Sequence, residues 1–346
     1  MAIADVTVRG AGVFGLSVAY ACAQRGAKVR VIDPRGVAAG ASGGIVGALA
    51  PHVPENWNSK KAFQFESLMM AEAFWHGVAE LTGDDVGYAR SGRLQPLADD
   101  AAVALAQQRA QTAAKLWDGK ARWEVIPADG HGAWVPPSPT GLIVHDTLSA
   151  RIHPRRATQA LAKAITALGG AVCTDGADEG AVVWATGYEG LEAMTSQHHR
   201  QVGNGVKGQA LLLDFTAPAA PQLFADALHI VPHADGTVAV GSTSERAFDD
   251  PQSVDAQLDA VYARAIAAFP VLANAPVLTR WAGVRPRSRS RAPMLGQHPF
   301  QPGAYVANGG FKIGFGMAPK VGEVMADLIL DQHDAIPEAF QAASNL

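Results

Sequence analysis

Three glycines near the start of the chain have the spacing of a turn that binds phosphate. They lie in Gly10-Ala11-Gly12-Val13-Phe14-Gly15, between a strand-like segment and a helix-like segment. In such a turn the first glycine permits the sharp bend, the second admits a pyrophosphate, and the third lets helix and strand pack closely. The free N–H groups and positive dipole of the helix N-terminus add to the anion site. The pattern therefore predicts a dinucleotide site.

An acidic residue ends the next predicted strand, which has the sequence Lys-Val-Arg-Val-Ile-Asp over residues 28–33. The two strands and the intervening helix form a βαβ unit. The Asp33 carboxylate can accept hydrogen bonds from both ribose hydroxyls, and its charge would repel a 2′-phosphate. Pro34 and Arg35, directly after it, belong to the same predicted site.

A second glycine-rich loop favours one dinucleotide over another. Residues 308–316 are Asn-Gly-Gly-Phe-Lys-Ile-Gly-Phe-Gly, and a helix is predicted from about 318 to 330. An NAD dehydrogenase needs little beyond the βαβ unit and its twin. A helix N-terminus and Lys312 would instead stabilise the anionic reduced ring of a flavin. The loop therefore indicates FAD.

The rest of the chain alternates between α/β and antiparallel segments. Helices are predicted over about 62–81, 99–117, 155–168 and 254–269, and a hairpin around Gly92 over 88–97. Strands are predicted over 171–173, 181–185, 228–232, 237–241 and 305–307. This alternation predicts two domains that are interleaved along the chain.

The composition of the chain limits the class of protein and the partners that can be expected. The 346 residues are 48% hydrophobic and 17% charged, which is typical of a compact protein of two domains. The net charge of -4 provides no global positive field, so nucleic acid is an unlikely partner. Two cysteines without a Cys/His cluster predict neither a disulfide framework nor a metal site. No apolar run approaches the roughly 18 residues of a membrane span, and no signal peptide is evident, so a cytoplasmic location is expected.

Several further motifs occur in an order that is similar to the D-amino-acid oxidase superfamily, and within it to the glycine-oxidase-like group. They are the small-residue segment over 41–51, Ile152-His153-Pro154 before a helix, Val183-Trp184-Ala185-Thr186-Gly187, Lys207-Gly208-Gln209, His229-Ile230-Val231-Pro232, the segment 240–245, and Trp281-Ala282-Gly283-Val284-Arg285-Pro286 through Gly296. The similarity covers nearly the whole chain.

The resemblance implies an α/β fold in which a Rossmann-like FAD domain is interleaved with an α+β substrate domain built on an antiparallel sheet. The implied boundaries are 1–50, 141–200 and 275–346 for the FAD domain, and 51–140 and 201–274 for the substrate domain. The implied FAD-binding positions are Gly10, Gly12, Val13, Phe14, Gly15, Asp33, Pro34, Arg35, Ala41, Ser42, Gly43, Gly47, Val172, Ala185, Thr186, Gly187, Gly310, Lys312, Ile313 and Gly314.

The resemblance also implies a reaction. A small amine that bears a carboxylate would pass a hydride to flavin N5, and the electrons would go on to oxygen or another acceptor. Arg285 matches the position that binds the substrate carboxylate, and a guanidinium can meet a carboxylate with two parallel hydrogen bonds. FAD is expected to be non-covalent, because no cysteine lies near the C-terminal loop and His52 is the only nearby candidate. The sequence is compatible with a monomer or a homo-oligomer.

Three features of the sequence depart from the family pattern. His229 replaces a tyrosine, and could either bind the carboxylate or be a satisfied hairpin histidine. Lys312 and Ile313 stand where arginine and asparagine are frequent, so polar contacts to flavin or substrate would differ. The stretch 173–181 is shorter than the β-meander of relatives, although adenine contacts near Val172 remain compatible with it.

Two other functions stay open. Arg287, Arg289 and Arg291 alternate along one segment and could form a basic edge for RNA, as in the related FAD domain of a tRNA wobble-uridine enzyme; a solvated strand would show the same pattern. The chain could also be a flavin-carrying subunit of a hetero-oligomeric amine dehydrogenase.

Overall fold

The computed structural model describes residues 3–129 and 132–346, and within them the chain forms two large sheets, a two-stranded ribbon and seven α-helices. The strands are β1 (Val6–Arg9), β2 (Val29–Ile32), β3 (Ala48–Leu49), β4 (Arg93–Pro96), β5 (Trp123–Pro127), β6 (Leu142–Asp146), β7 (Ala150–Arg151), β8 (Ala171–Cys173), β9 (Ala181–Trp184), β10 (Gly203–Asp214), β11 (Gln222–Ala225), β12 (Leu228–Pro232), β13 (Thr237–Gly241), β14 (Val277–Ser288), β15 (Met294–Gln297) and β16 (Ala304–Asn308). The helices are α1 (Val13–Gln24), α2 (Ser59–Thr82), α3 (Asp100–Leu116), α4 (Pro154–Ala167), α5 (Gly187–Ser196), α6 (Ala256–Ala268) and α7 (Gly314–Asp331).

The smaller sheet has six strands in the order β15-β16-β9-β1-β2-β8. Its strands are parallel except that β15 runs antiparallel to β16. Helix α1 is buried along most of its length, because α4 and α7 pack against it on top of the sheet. Gly322 of α7 permits this contact, since a Cβ there would lie 2.6 Å from the Ser17 carbonyl oxygen. The predicted βαβ unit is confirmed.

The larger sheet has eight strands in the order β14-β10-β13-β12-β11-β4-β6-β5. Neighbouring strands are antiparallel except for β4 and β11. Buried apolar residues of its strands pack against α6, and Phe269 and Leu272 are fully buried in the same cluster. The predicted α/β fold class, with a Rossmann-like sheet and a second sheet that is mostly antiparallel, is confirmed.

Sheet membership bears on the domain boundaries. Strands β6 and β14 lie within ranges assigned to the FAD domain, yet both are hydrogen-bonded in the larger sheet. The boundaries therefore stay a prediction.

The hairpin predicted over 88–97 is wrong. Only β4 forms there, and it pairs with β6 on one side and with β11 on the other, while Ala89 bridges Arg151. Gly92 is not a hairpin turn: its φ is +78°, and a Cβ would lie 2.9 Å from the Asp146 carbonyl oxygen. The glycine allows the backbone before β4 to pass close to the end of β6.

The last helix begins four residues earlier than predicted, at Gly314 rather than about Ala318. Its glycine-rich first turn has low helix propensity. Packing against α1 and α2 compensates for the low propensity, and most of the helix is buried. Part of the predicted loop is therefore helical.

The short stretch between β8 and β9 contains no strand in the described chain. It is held to the sheet by side chains: Arg9 Nε donates to Asp178 Oδ1 at 2.7 Å, and Thr7 Oγ1 donates to the Glu179 carbonyl at 2.7 Å. Arg9, unusual before a glycine turn, thus anchors this loop. None of the helices in residues 3–129 and 132–346 is long and apolar enough to span a membrane.

Candidate active site

A cavity of about 870 Å³ lies where the parallel strands of the smaller sheet end, and it extends to the larger sheet. Its walls include the ends of β1, β2, β9 and β16 and residues of β12 and β14. Ligands of α/β sheets bind outside the carboxyl ends of the strands, and pockets for ligands occupy about 300–1,000 Å³. The position and size of the cavity suit a long nucleotide cofactor.

The glycine turn forms one wall, and its first and third glycines are sterically required. Gly10 has a φ of +112°, and a Cβ there would lie 2.4 Å from the Ala185 carbonyl oxygen. A Cβ on Gly15 would lie 2.1 Å from the Gly10 carbonyl oxygen. Gly12 has no such overlap and lines the cavity at the N-terminus of α1. The second glycine therefore leaves backbone N–H groups open to a phosphate.

The Asp33 carboxylate is fixed at the end of β2. The Ala11 amide donates to its Oδ2 at 2.9 Å, and the Arg35 amide donates to its Oδ1 at 3.0 Å. Arg35 in turn forms two hydrogen bonds to Glu189 of α5, at 2.7 and 2.6 Å. The acidic group thus lies in the cavity wall beside the glycine turn, where a ribose hydroxyl could reach it.

A segment of small residues over 41–48 forms the opposite wall. Ser42 Oγ accepts a hydrogen bond of 2.9 Å from the Val13 amide, which joins this segment to the N-terminus of α1. Gly47 has a φ of +67°, and a Cβ there would lie 1.8 Å from the Ile152 carbonyl oxygen. The Trp281 ring lies against Gly44, whose Cβ would be 3.3 Å from it. Small side chains are needed because several elements meet here.

Arg285 projects into the other end of the cavity from β14. Its guanidinium lies across Gly208 of the neighbouring strand, where a Cβ would lie 1.9 Å from Nη1. Nη2 donates to Ser242 Oγ at 2.7 Å, and Nη1 donates to the Thr243 carbonyl at 3.4 Å. Burial lowers the pKa of Arg285 to about 10, against an opposing effect of Glu245, so the group stays charged at neutral pH. In the part of the chain that the structure describes, no carboxylate pairs with it.

His229 lines the cavity from β12, near Arg285 and Lys312. Burial, together with the smaller effect of the nearby charges of Arg93 and Lys312, lowers its pKa to about 3, so the ring is neutral. Its Nδ1 is buried and has no hydrogen-bond partner among the described residues. The Phe224 ring packs beside it at a centroid distance of 4.8 Å.

Lys312 approaches from the loop before α7 and also lines the cavity. Its Nζ lies 5.8 Å from the centre of the Phe311 ring. Burial lowers its pKa, and the nearby Arg285 lowers it further. Two cations therefore share this end of the cavity, which favours anionic groups here.

Most predicted positions line the same cavity. They are Gly10, Gly12, Val13, Phe14, Asp33, Pro34, Arg35, Ala41, Ser42, Gly47, Ala185, Thr186, Gly187, His229, Arg285, Gly310, Lys312 and Gly314. The structure does not place Gly15, Gly43, Val172 or Ile313 in the lining. Gly15 and Gly43 serve close backbone packing instead, since a Cβ on Gly43 would lie 2.3 Å from the Ala38 carbonyl oxygen. Their predicted contacts with a cofactor stay predictions.

Other lining residues were not predicted. They are chiefly Phe224, Ala227, Ser242, Trp281, Tyr188 and Asn308. Trp281 belongs to a motif that the sequence does show and Tyr188 directly follows another, so their positions in the chain could have identified them. Phe224 and Ala227 have no such signal, because the pairing of β11 with β12 brings them to the cavity.

The cysteines and His52, which the sequence analysis considered for a covalent bond to flavin, do not line the cavity. Neither cysteine lines the cavity; Cys22 is buried in α1, where burial raises its pKa to about 12. His52 is hydrogen-bonded to Gln64 and is also absent from the lining. This arrangement supports non-covalent binding. No group of His, Cys, Asp and Glu among the described residues could hold a metal ion.

The three alternating arginines do not share one environment. Arg287 lies 5.9 Å from the centre of the Phe311 ring, whereas Arg289 donates to the Leu346 carbonyl at 2.8 Å. The Arg291 carbonyl accepts a hydrogen bond from Lys60. That nucleic acid is an unlikely partner remains a prediction.

Residues 5–328 match the sequence profile of one family, described as FAD dependent oxidoreductase. The chain belongs to this family. FAD is therefore its cofactor, and the glycine turn, Asp33 and the open helix N-terminus at Gly12 are the features of the cavity that fit FAD.

Individual relatives agree with this membership. The chain is 25% identical to the bifunctional protein ThiO/ThiG of Nostoc sp. over 95% of its own length and 53% of that protein. It therefore spans about half the length of this relative. It is also 25% identical to a glycine oxidase of Geobacillus kaustophilus, over 94% of this chain and 92% of that protein.

A solved structure has the same fold. The crystal structure of glycine oxidase from Geobacillus kaustophilus superposes with a TM-score of 0.83 at 21% identity, and the match covers 98% of each chain.

Proposed function

We propose that this FAD-dependent oxidoreductase oxidises the C–N bond of a small amino acid or a related amine that bears a carboxylate. The observation that carries the proposal is Arg285, which is charged, half-buried and held at the cavity without a carboxylate partner in the described residues. A guanidinium in this state can bind a substrate carboxylate with two parallel hydrogen bonds. The similarity to a glycine oxidase supports the same substrate class.

FAD, when bound, supplies the acceptor for the two electrons that leave the C–N bond, and oxygen or another acceptor takes them from the enzyme. The protein's contribution is to orient the substrate, and positioning alone can supply much of a rate enhancement. Arg285 would hold the carboxylate. Lys312, at the same end of the cavity, would stabilise negative charge that develops nearby.

His229 would act as a hydrogen-bonding group rather than as a general base. Because its pKa is lowered to about 3, the neutral ring is a weak base toward a substrate ammonium. It can still donate or accept one hydrogen bond to the substrate through a ring nitrogen. The amine would therefore bind in its neutral form, with no dedicated acid or base.

Anaerobic addition of glycine, sarcosine or small D-amino acids to the purified yellow protein tests the proposal. We expect at least one of them to bleach the visible absorption of the bound flavin. Amines of matched size that lack the carboxylate, such as ethylamine, are the control and should bleach it far more slowly. If no carboxylate-bearing amine bleaches a protein that does hold FAD, the proposed substrate class is wrong.

A further inference from the structure

Three side chains outside the cavity hold carbonyl oxygens of the cofactor-lining segment 41–48. Arg155 Nε donates to the Gly43 carbonyl at 2.7 Å, and Thr158 Oγ1, which donates to the Pro154 carbonyl at 2.7 Å, also lies 3.4 Å from the Ser42 carbonyl oxygen. His233 Nε2 lies 2.9 Å from the Ile45 carbonyl oxygen. The bonds from Arg155 and His233 fix the backbone of this wall beside the packing of Ile45, which is 2% exposed.

The three anchors come from different parts of the fold. Arg155 and Thr158 lie on α4, which packs with α1 on the smaller sheet. His233 instead directly follows β12 of the larger sheet, four residues after His229. Of the three, His233 alone ties the cofactor-lining segment to the strand that carries a cavity residue of the other sheet.

The hydrogen bond between His233 and the Ile45 carbonyl has only one possible direction. A carbonyl oxygen can only accept, so Nε2 of His233 must carry the proton, and Nδ1 holds the lone pair when the ring is neutral. His233 is only 1% exposed, and its Nδ1 has no partner within the described chain. The His153 ring lies 5.1 Å away, centroid to centroid, but makes no side-chain bond to the segment. Removal of the His233 ring would leave the buried Ile45 carbonyl unpaired, which proteins avoid.

We propose that His233 is a positioning residue for the flavin site: through the Ile45 carbonyl it fixes the cofactor-lining segment relative to the strand that carries His229. Loss of the bond would then alter the environment of the flavin and the placement of the substrate relative to it. Binding of the carboxylate by Arg285 would change much less, because Arg285 is held by Ser242 and Thr243.

The test compares four variants of the full chain: His233→Leu, His233→Gln, His233→Asn and the matched control His153→Leu. We expect His233→Leu to raise the FAD dissociation constant about tenfold and to shift the visible flavin spectrum. It should also lower kcat more than it raises KM. His233→Gln should restore all three, because its amide nitrogen can replace Nε2, and His153→Leu should leave the flavin spectrum unchanged.

Other results would overturn the proposal. These are an unchanged FAD affinity and spectrum in His233→Leu, equal changes in His153→Leu, or a failure of His233→Gln to rescue. If His233→Leu does not fold, His233→Asn decides: its shorter side chain cannot reach Ile45, so it should behave worse than His233→Gln, and equal behaviour would refute the role. FAD affinity and the flavin spectrum are measured without substrate. A failure of this proposal can therefore be distinguished from a failure of the proposed amine oxidation.

Discussion

At the scale of single residues, the candidate site depends on small neighbours as much as on charged groups. The Arg285 guanidinium can lie flat only because Gly208 on the adjacent strand has no side chain. Ser242 then fixes its direction through a hydrogen bond of 2.7 Å. The sequence predicted Arg285 from its motif. Gly208 lies beside it because β10 pairs with β14, and Ser242 reaches it from the residue after β13, which no local pattern shows.

Replacement of the Arg285 guanidinium should weaken binding of the substrate and leave the fold intact. We expect Arg285→Ala to raise the KM for the carboxylate-bearing substrate by the equivalent of about 2–4 kcal/mol of binding, because a half-buried charged partner is lost. Steady-state kinetics with the amine that bleaches the flavin measure this. Arg280→Ala is the control, since Arg280 lies on the same strand but pairs with the exposed Asp259. A KM unchanged in Arg285→Ala would remove Arg285 from the site.

At the scale of elements, the turn between β11 and β12 is strained. Its two residues, Asp226 and Ala227, have φ values of +48° and +58°, which is the geometry of a type I′ hairpin turn that favours Asp-Gly. Arg264 of α6 donates to Asp226 Oδ2 at 2.6 Å, and this hydrogen bond connects the turn to α6. Ala227 lines the cavity, so the strain lies at its wall.

Relief of that strain should stabilise the protein. We expect Ala227→Gly to raise the free energy of unfolding by about 0.5–1 kcal/mol, because an alanine in the left-handed region costs about 1–2 kcal/mol and the added chain entropy offsets part of the gain. The midpoint of denaturant unfolding measures the change. Ala225→Gly removes the same methyl group from a buried strand position with ordinary geometry and should lower the midpoint. A lower midpoint in Ala227→Gly as well would contradict the explanation.

Elements that depend on nearby residues were predictable, and those that depend on distant pairing were not. The βαβ unit and helices α2, α3, α4 and α6 follow from local periodicity and caps, such as Asn58, whose side chain accepts from the Lys61 amide. The hairpin predicted around Gly92 was wrong because β4 pairs with β6 and with β11, the latter more than 120 residues away. The early start of α7 likewise depends on helices to which it is not adjacent in the chain.

At the scale of the whole molecule, the cavity unites residues from both sheets. Asp33 and the glycine turn belong to the smaller sheet, whereas His229 and Arg285 belong to the larger one. A cofactor that fills this space contacts both, so its binding free energy should add to the stability of the folded chain as a unit.

The melting temperature should therefore depend on FAD concentration. We expect FAD at 100 times its dissociation constant to stabilise the protein by about 2.7 kcal/mol, with a further rise at higher concentration. Thermal unfolding of the FAD-depleted chain, repeated at several FAD concentrations, measures the effect. Asp33→Ala should require more FAD for the same shift, because a ribose contact is removed. A melting temperature that does not respond to FAD would contradict this coupling.

The order of strands in the smaller sheet also has a consequence for synthesis. Strand β1 pairs with β9, which follows about 175 positions later, and β16 closes the far side of β9 only at residues 304–308. A ribosome adds about 5–20 residues per second. The glycine turn therefore leaves the exit tunnel many seconds before its sheet can form, and during that time the nascent chain exposes the apolar strands β1 and β2. We therefore expect the smaller sheet to be completed only after β16 has been synthesised, with β1 and β2 lacking their β9 neighbour until then.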